Sequence, residues 1–188
     1  MNIDVRDICV QLANGPEGGI GLRKSVNIPL TAPTLGGTGP AVTNSSGVQI
    51  LTLGNSDNVA TFAFPVPIDY DQRAYNSNDT WKGDRITVRI FAQATTTTTN
   101  TLEIDDVKIW SLAGTAVEDP TLPTGASAQT ISASAFTFYD YDLTNLGLVP
   151  GDVVSIQIGC TIAGNNVLVR GIQVLYPGRI EATDRSNR

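Results

Sequence analysis

Residues 85–94 read Arg-Ile-Thr-Val-Arg-Ile-Phe-Ala-Gln-Ala, and their alternation decides the fold. Ile86, Val88, Ile90 and Ala92 fall on one side of an extended chain, while Arg85, Thr87, Arg89 and Gln93 fall on the other. Successive side chains of a strand point to opposite faces, so one face belongs to a core and the other to water.

The same period extends outward in both directions. Upstream, Val48 to Leu53 and Val59 to Phe64 read as strands, the latter with Phe62 and Phe64 on one face. Downstream, the polar run Thr95–Thr99 reads as the tip of a hairpin leading into residues 101–112. There the apolar phase shifts from Leu102 and Ile104 to Val107 and Ile109, which places one inserted residue, a β-bulge, near Asp105 and Asp106. Residues 135–142, 152–162 and 166–176 complete the long strands, with a tight turn at Gly164-Asn165 and a second phase slip at Arg170 and Gly171.

Before residue 45 the pattern is weaker. Short strands are expected at Ile8–Leu12 and Ser25–Pro29, joined by the Gly/Pro-rich connectors Asn14–Gly21 and Pro33–Pro40, as either edge strands or an arm. About eight to ten strands and no helix follow from period-2 reading. The expected fold is therefore all-β: a two-sheet antiparallel sandwich, jelly-roll-like, with an extended N-terminal region over 1–45, the sandwich over 46–180 and a polar tail over 181–188.

Composition limits the chemistry. The 188 residues include 18 Gly and 10 Pro, and only 16% are charged, which suits short strands and leaves an exterior of small polar and apolar groups. A net charge of −6 argues against nucleic acid as a partner, because phosphate recognition needs clustered Lys and Arg. The absence of histidine removes Ser-His-Asp and Cys-His catalysis and the commonest metal ligand, so no enzyme activity and no cofactor are expected. No apolar stretch approaches the ~20 residues of a membrane-spanning helix, and the opening residues lack a signal-peptide pattern, so no membrane partner and synthesis in a cytoplasm are expected. Of the two cysteines, Cys160 is in phase with Val154, Ile156 and Ile158 and reads as core, whereas Cys9 is out of phase with Ile8 and Val10. Both are expected to be reduced and inert.

The chain also repeats its layout. Phe62-x-Phe64, Tyr70-Asp71, Gly83-Asp84 and a hairpin ending at Trp110 are followed by Phe136-x-Phe138, Tyr141-Asp142, Gly151-Asp152 and a hairpin ending at Tyr176. The phenylalanines stand 74 residues apart and the Gly-Asp pairs 68. Either the matches are chance, or the two copies pack face to face as the two Greek keys of a jelly roll.

The pattern FAFPVPIDYD (62–71), GDRITVRIFAQ (83–93), FYDYDLTNLGLVPGDVVSIQI (138–158) and VRGIQVLYPG (169–178) resembles the β-sandwich decoration, or cement, proteins of tailed bacteriophages. The resemblance covers roughly residues 59–178 and consists of aromatic, Asp and Gly-Asp positions rather than one motif. It implies a structural virion protein on the capsid exterior that bridges capsomers, with the major capsid protein as partner and a homo-oligomer, a trimer in the favoured case. The alternative is a carbohydrate- or receptor-binding module of a phage tail or fibre.

For either role the contact candidates are Tyr70, Arg73, Tyr75 and Trp81, in a loop rich in the residue types that dominate interfaces. The competing reading folds Tyr70 and Trp81 back as a plug on the sandwich edge. Carboxylates gather at Asp69 and Asp71, at Glu103, Asp105 and Asp106, and at Asp140, Asp142 and Asp152. They match a glycosidase pair or a Ca²⁺ site in residue type only, and solvated turn carboxylates are the commoner case. Gly15–Gly21 lacks the Lys-Ser/Thr ending of a phosphate loop.

Overall fold

A computed structural model describes residues 22–30, 34–36, 40–54, 59–71, 85–95, 100–112, 117–118, 128–161 and 166–178. Within them twelve strands form two six-stranded antiparallel sheets. The front sheet contains β1 (Leu22–Ile28), β3 (Ala41–Ser45), β4 (Val48–Leu53), β6 (Arg85–Ala94), β10 (Thr137–Thr144) and β12 (Val167–Gly178). The back sheet contains β2 (Thr34–Gly36), β5 (Val59–Pro65), β7 (Asn100–Trp110), β8 (Val117–Glu118), β9 (Gln129–Ile131) and β11 (Val153–Thr161). The all-β sandwich expected from alternation is what the chain forms.

The core lies between the sheets. Ile86, Val88, Ile90 and Ala92 of β6 face Phe62, Phe64, Ile156 and Ile158 of the back sheet, all nearly inaccessible to water. Burying each large aliphatic side chain contributes about 2 kcal/mol. Tyr141 reaches from the front sheet to donate its hydroxyl to the Leu102 carbonyl of β7, 2.5 Å away, and so ties the two sheets across the core. Thr87, expected on the wet face, is buried and donates to Asp142 Oδ1 at 2.6 Å.

Both bulges fall where the phase slips. Along β7 the partner register runs Gln157 to Asp106 and then Ile158 to Ile104, so Asp105 is the extra residue. Along β12 it runs Val169 to Ala92 and then Gly171 to Phe91, so Arg170 is the extra residue. Each insertion returns the following apolar side chains to the core, Val107 and Ile109 in one strand and Ile172 and Val174 in the other.

Two expectations about connection are corrected. Neither β6–β7 nor β11–β12 is a hairpin, because the two members of each pair lie in opposite sheets. A polar run between two strands does not record whether they share a sheet; Thr96–Thr99 and Gly164-Asn165 themselves lie outside the described residues. The copies also do not pack as two separate faces. β11 of the second copy lies between β5 and β7 of the first, and β6 of the first lies between β10 and β12 of the second. The repeat interlaces, so each sheet is completed by the other copy's strands.

The described part of residues 22–45 is hydrogen-bonded into both sheets: β1 runs along β12, β2 along β5, and β3 along β4 through a two-residue turn. Ser46 and Gly47 take φ of 54° and 80°, the left-handed pair that a tight hairpin turn requires. The candidate strand Ile8–Leu12, Cys9, the connector Asn14–Gly21 and the tail 181–188 lie outside the described residues.

Candidate functional site

The β12 strand changes neighbour halfway along one edge. Val167–Val169 pair with Leu53–Leu51 of β4, whereas Ile172–Gly178 pair with Ile28–Leu22 of β1. Between them stand Arg170 and Gly171, the bulge. There the β3–β4 hairpin leaves β12 and keeps only its own ladder, Ser45 with Val48 and Asn44 with Gln49. A groove of about 770 Å³ opens on the front sheet between that hairpin, the end of β1, and the outer faces of β12, β6 and β10.

Register explains what lines it. One cross-strand row runs Phe138, Phe91, Gly171; the next runs Arg89, Gln173, Asn27, with Asp140 beyond Arg89 and outside the lining. Side chains in such rows sit within contact distance, so an aromatic row lies beside a polar one. Phe91 packs on Phe138 with ring centroids 4.7 Å apart and on Phe136 at 5.3 Å. Phe138 remains 59% exposed. Gly171 continues the aromatic row with no side chain, and an added Cβ there would meet nothing within 4 Å, so the space above it belongs to the groove rather than to packing. Gln173 donates to Asn27 Oδ1 at 3.2 Å, and Asn44 and Gln49 add two more amides from the hairpin.

Two arginines border the aromatic row. Arg89 is held by Asp140 in a bidentate pair, both bonds 2.7 Å, and lies over the Phe138 ring at 5.5 Å. The Asp140 hydrogen bonds raise the guanidinium above its ordinary pKa. Arg170 is exposed, and its guanidinium carbon stands 3.9 Å from the Phe136 ring centroid.

Of the contact candidates singled out from sequence, Tyr70 is the one among the described residues, and it does not line the groove. Tyr70 is 2% exposed, joins the core and bridges to Gly178, so its ring offers the solvent no surface. Arg73, Tyr75 and Trp81 lie outside the described residues. The carboxylates are distributed among local tasks. Asp69 is paired with Lys24 and accepts from the Tyr176 hydroxyl at 3.2 Å; burial opposes its ionisation, and these partners outweigh that and bring its pKa below the ordinary value. Asp142 pairs with Arg85. Asp152 is buried and accepts from the amides of Leu112 and Val149 at 3.0 and 2.9 Å, and Gly151 before it has φ of 93°, which explains this Gly-Asp pair as a turn device. Among the described residues no group of three or more acidic or thiol ligands is placed to hold a metal.

Phe136 and Phe138 escaped notice because the repeat matched them to Phe62 and Phe64, which are core. Their own strand carries the corrective signal: Phe136, Phe138, Asp140 and Asp142 share one phase, and Tyr139, Tyr141 and Leu143 the other. Two aspartates mark the first phase as the wet one, and Tyr139, Tyr141 and Leu143 are the buried set.

No family model and no curated protein matches the chain. Solved structures share its fold at low identity. A xylan-binding CBM22-1 domain of Paenibacillus barcinonensis Xyn10C aligns with a TM-score of 0.50 and 12% identity over 85% of this chain and 97% of that one. The xylan-binding module CBM15 aligns at 0.50 and 8% identity over 84% and 99%. Against the CBM22-1–GH10 modules of a Clostridium thermocellum xylanase the TM-score is 0.51 at 8% identity, over 87% of this chain but only 30% of that one. The mosquito-larvicidal Cry4Aa toxin of Bacillus thuringiensis reaches 0.52 at 12% over 82% and 24%. These likenesses establish a jelly-roll β-sandwich.

Proposed function

We propose that the chain is a non-catalytic carbohydrate-binding module that holds a polysaccharide segment in the front-sheet groove. The observation that carries this reading is the row Phe138–Phe91–Gly171 beside the amides of Asn27 and Gln173. A pyranose ring presents an apolar C–H face and a rim of hydroxyls. The first is matched by an exposed aromatic ring, the second by amide groups that both donate and accept. An open groove, unlike a closed pocket, admits an internal segment of a chain. The fold shared with xylan-binding modules supports the same reading.

Phe138→Ala tests it. The side chain is mostly exposed, so its loss should leave the unfolding temperature nearly unchanged while weakening retention on an immobilised polysaccharide roughly tenfold, about 1.4 kcal/mol. Retention unaffected by Phe138→Ala and Phe91→Ala together would remove the groove from the account.

A second reading, a decoration protein on a phage capsid, is supported by the sequence resemblance and by a feature of the back sheet. Pro65, Val153 and Trp110 form one exposed cross-strand row, with Leu112 and Val149 also exposed. Under this reading the row packs against the major capsid protein or a second copy of the chain, on the exterior of a virion. Sedimentation decides it: a stable trimer that binds assembled shells is expected, and a monomer at micromolar concentration that binds none counts against it.

A further inference from the structure

We infer that the groove selects acidic polysaccharides, with Arg170 receiving the carboxylate of a uronic acid residue. The inference rests on the carbohydrate reading of the groove and names its ligand class. Three observations carry it.

The first is the charge inventory. Among the described residues none that lines the groove is an aspartate or glutamate, and its two charged members are Arg89 and Arg170. The carboxylate of Asp140 already occupies Arg89 through two 2.7 Å bonds, so that charge is matched within the protein. Arg170 has the Phe136 ring as its described contact, which satisfies the flat face of the guanidinium and leaves its N–H edge available. A stacked guanidinium loses little further freedom on binding, and its planar fork fits a carboxylate through two parallel bonds.

The second is how the side chain comes to be there. Arg170 is the extra residue of β12 and has no partner in the β6 register. Val169 is buried, so alternation already places Arg170 on the outer face, and in an unbulged strand the next residue, Gly171, would turn back toward the core. The bulge instead keeps Gly171 on the outer face beside Arg170, so that the guanidinium stands next to an empty floor.

The third is the contrast with the back sheet. The equivalent bulge residue of the interlaced repeat is Asp105, flanked by Glu103 and Asp106. A polyanion approaching a chain of net charge −6 meets repulsion on that side, and the groove carries the cation not matched by a described carboxylate. Attraction of this kind acts within about a Debye length, ~8 Å at physiological salt.

The experiment compares alginate and polygalacturonate, each with its carboxyl-reduced form, by affinity electrophoresis of the folded chain. The ratio of affinities, acidic over reduced, is the readout. Wild type should favour the acidic form about tenfold, the factor one charge-assisted pair supplies. Arg170→Gln should bring the ratio near unity, Arg170→Lys should restore part of it, and raised salt should shrink it in wild type. Phe138→Ala should weaken both forms and leave the ratio standing. Equal binding of acidic and reduced polymers by wild type, or a ratio that survives Arg170→Gln, would overturn the acid preference while leaving the groove as a sugar site. Binding of neither form of either polymer would overturn the preference, and failure on neutral polysaccharides as well would overturn the groove reading with it.

Discussion

Asp105 is the extra residue of β7, and its carboxylate lies over the bare backbone of Gly159. Burial, then repulsion from Glu103 and Asp106, raises its pKa despite a hydrogen bond to Gln157. Its folded-state value therefore lies above the 3.8 of an ordinary aspartate, and the folded chain holds that proton more tightly than the unfolded one. The ionised carboxylate thus costs stability, a cost fully present above the folded value and absent below 3.8. Asp105→Asn should raise the thermal midpoint by a few degrees at neutral pH and change it little below pH 3.8, measured by calorimetry across that range. The neighbouring Cys160 was legible from phase alone: it is buried in the core, and burial with the nearby Asp105 and Glu103 pushes its thiol up to about 12, far from a reactive thiolate. Tyr70 was not legible in the same way. The sequence left open whether its ring faced outward or folded back on the sandwich edge, and the ring lies in the core beside a bridge to Gly178.

Strands announced themselves where one face is buried. The β6 bounds, 85–94, coincide with the alternating run, and both phase slips coincide with bulges at Asp105 and Arg170. A one-residue insertion must appear as a change of phase if the core is to stay apolar, which is why these two irregularities could be read. Partnership could not be read. Val88 lies between Tyr141 and Val174, residues far along the chain, while its sequential neighbour strand β7 belongs to the other sheet. A strand with one apolar face records that it is half-buried and does not record which strand lies beside it. The groove was hidden for the same reason, since it exists only where β12 passes from β4 to β1. The hairpin that forms its wall, β3–β4, closes on Ser46-Gly47 with left-handed φ values that its sequence reading did not include, whereas the phase slip at Arg170 and Gly171 is the feature of the groove that was legible.

At the scale of the molecule, two interlaced copies build a sandwich with dissimilar outer faces. The back sheet carries Glu103, Asp105 and Asp106 around one bulge; the front sheet carries Arg170, three phenylalanines and a set of amides around the other. In the third strand of each copy one extra residue leaves two successive positions on the outer face, Asp105 and Asp106 on one side and Arg170 and Gly171 on the other. The front face is the side suited to a sugar chain, and Gly171 is the position at which that claim is most exposed. Because a Cβ there meets no atom within 4 Å and its backbone needs no left-handed φ, Gly171→Val should fold with an unfolding temperature close to that of wild type. Its branched side chain would stand on the groove floor beside Phe91. The decisive measurement is affinity electrophoresis of wild type and Gly171→Val, side by side, through gels containing neutral and acidic polysaccharides. At least one polysaccharide should retard wild type, and the folded Gly171→Val variant should migrate as if no polysaccharide were present; retardation of both proteins alike, or of neither by any polymer, would rule out the groove as a sugar site.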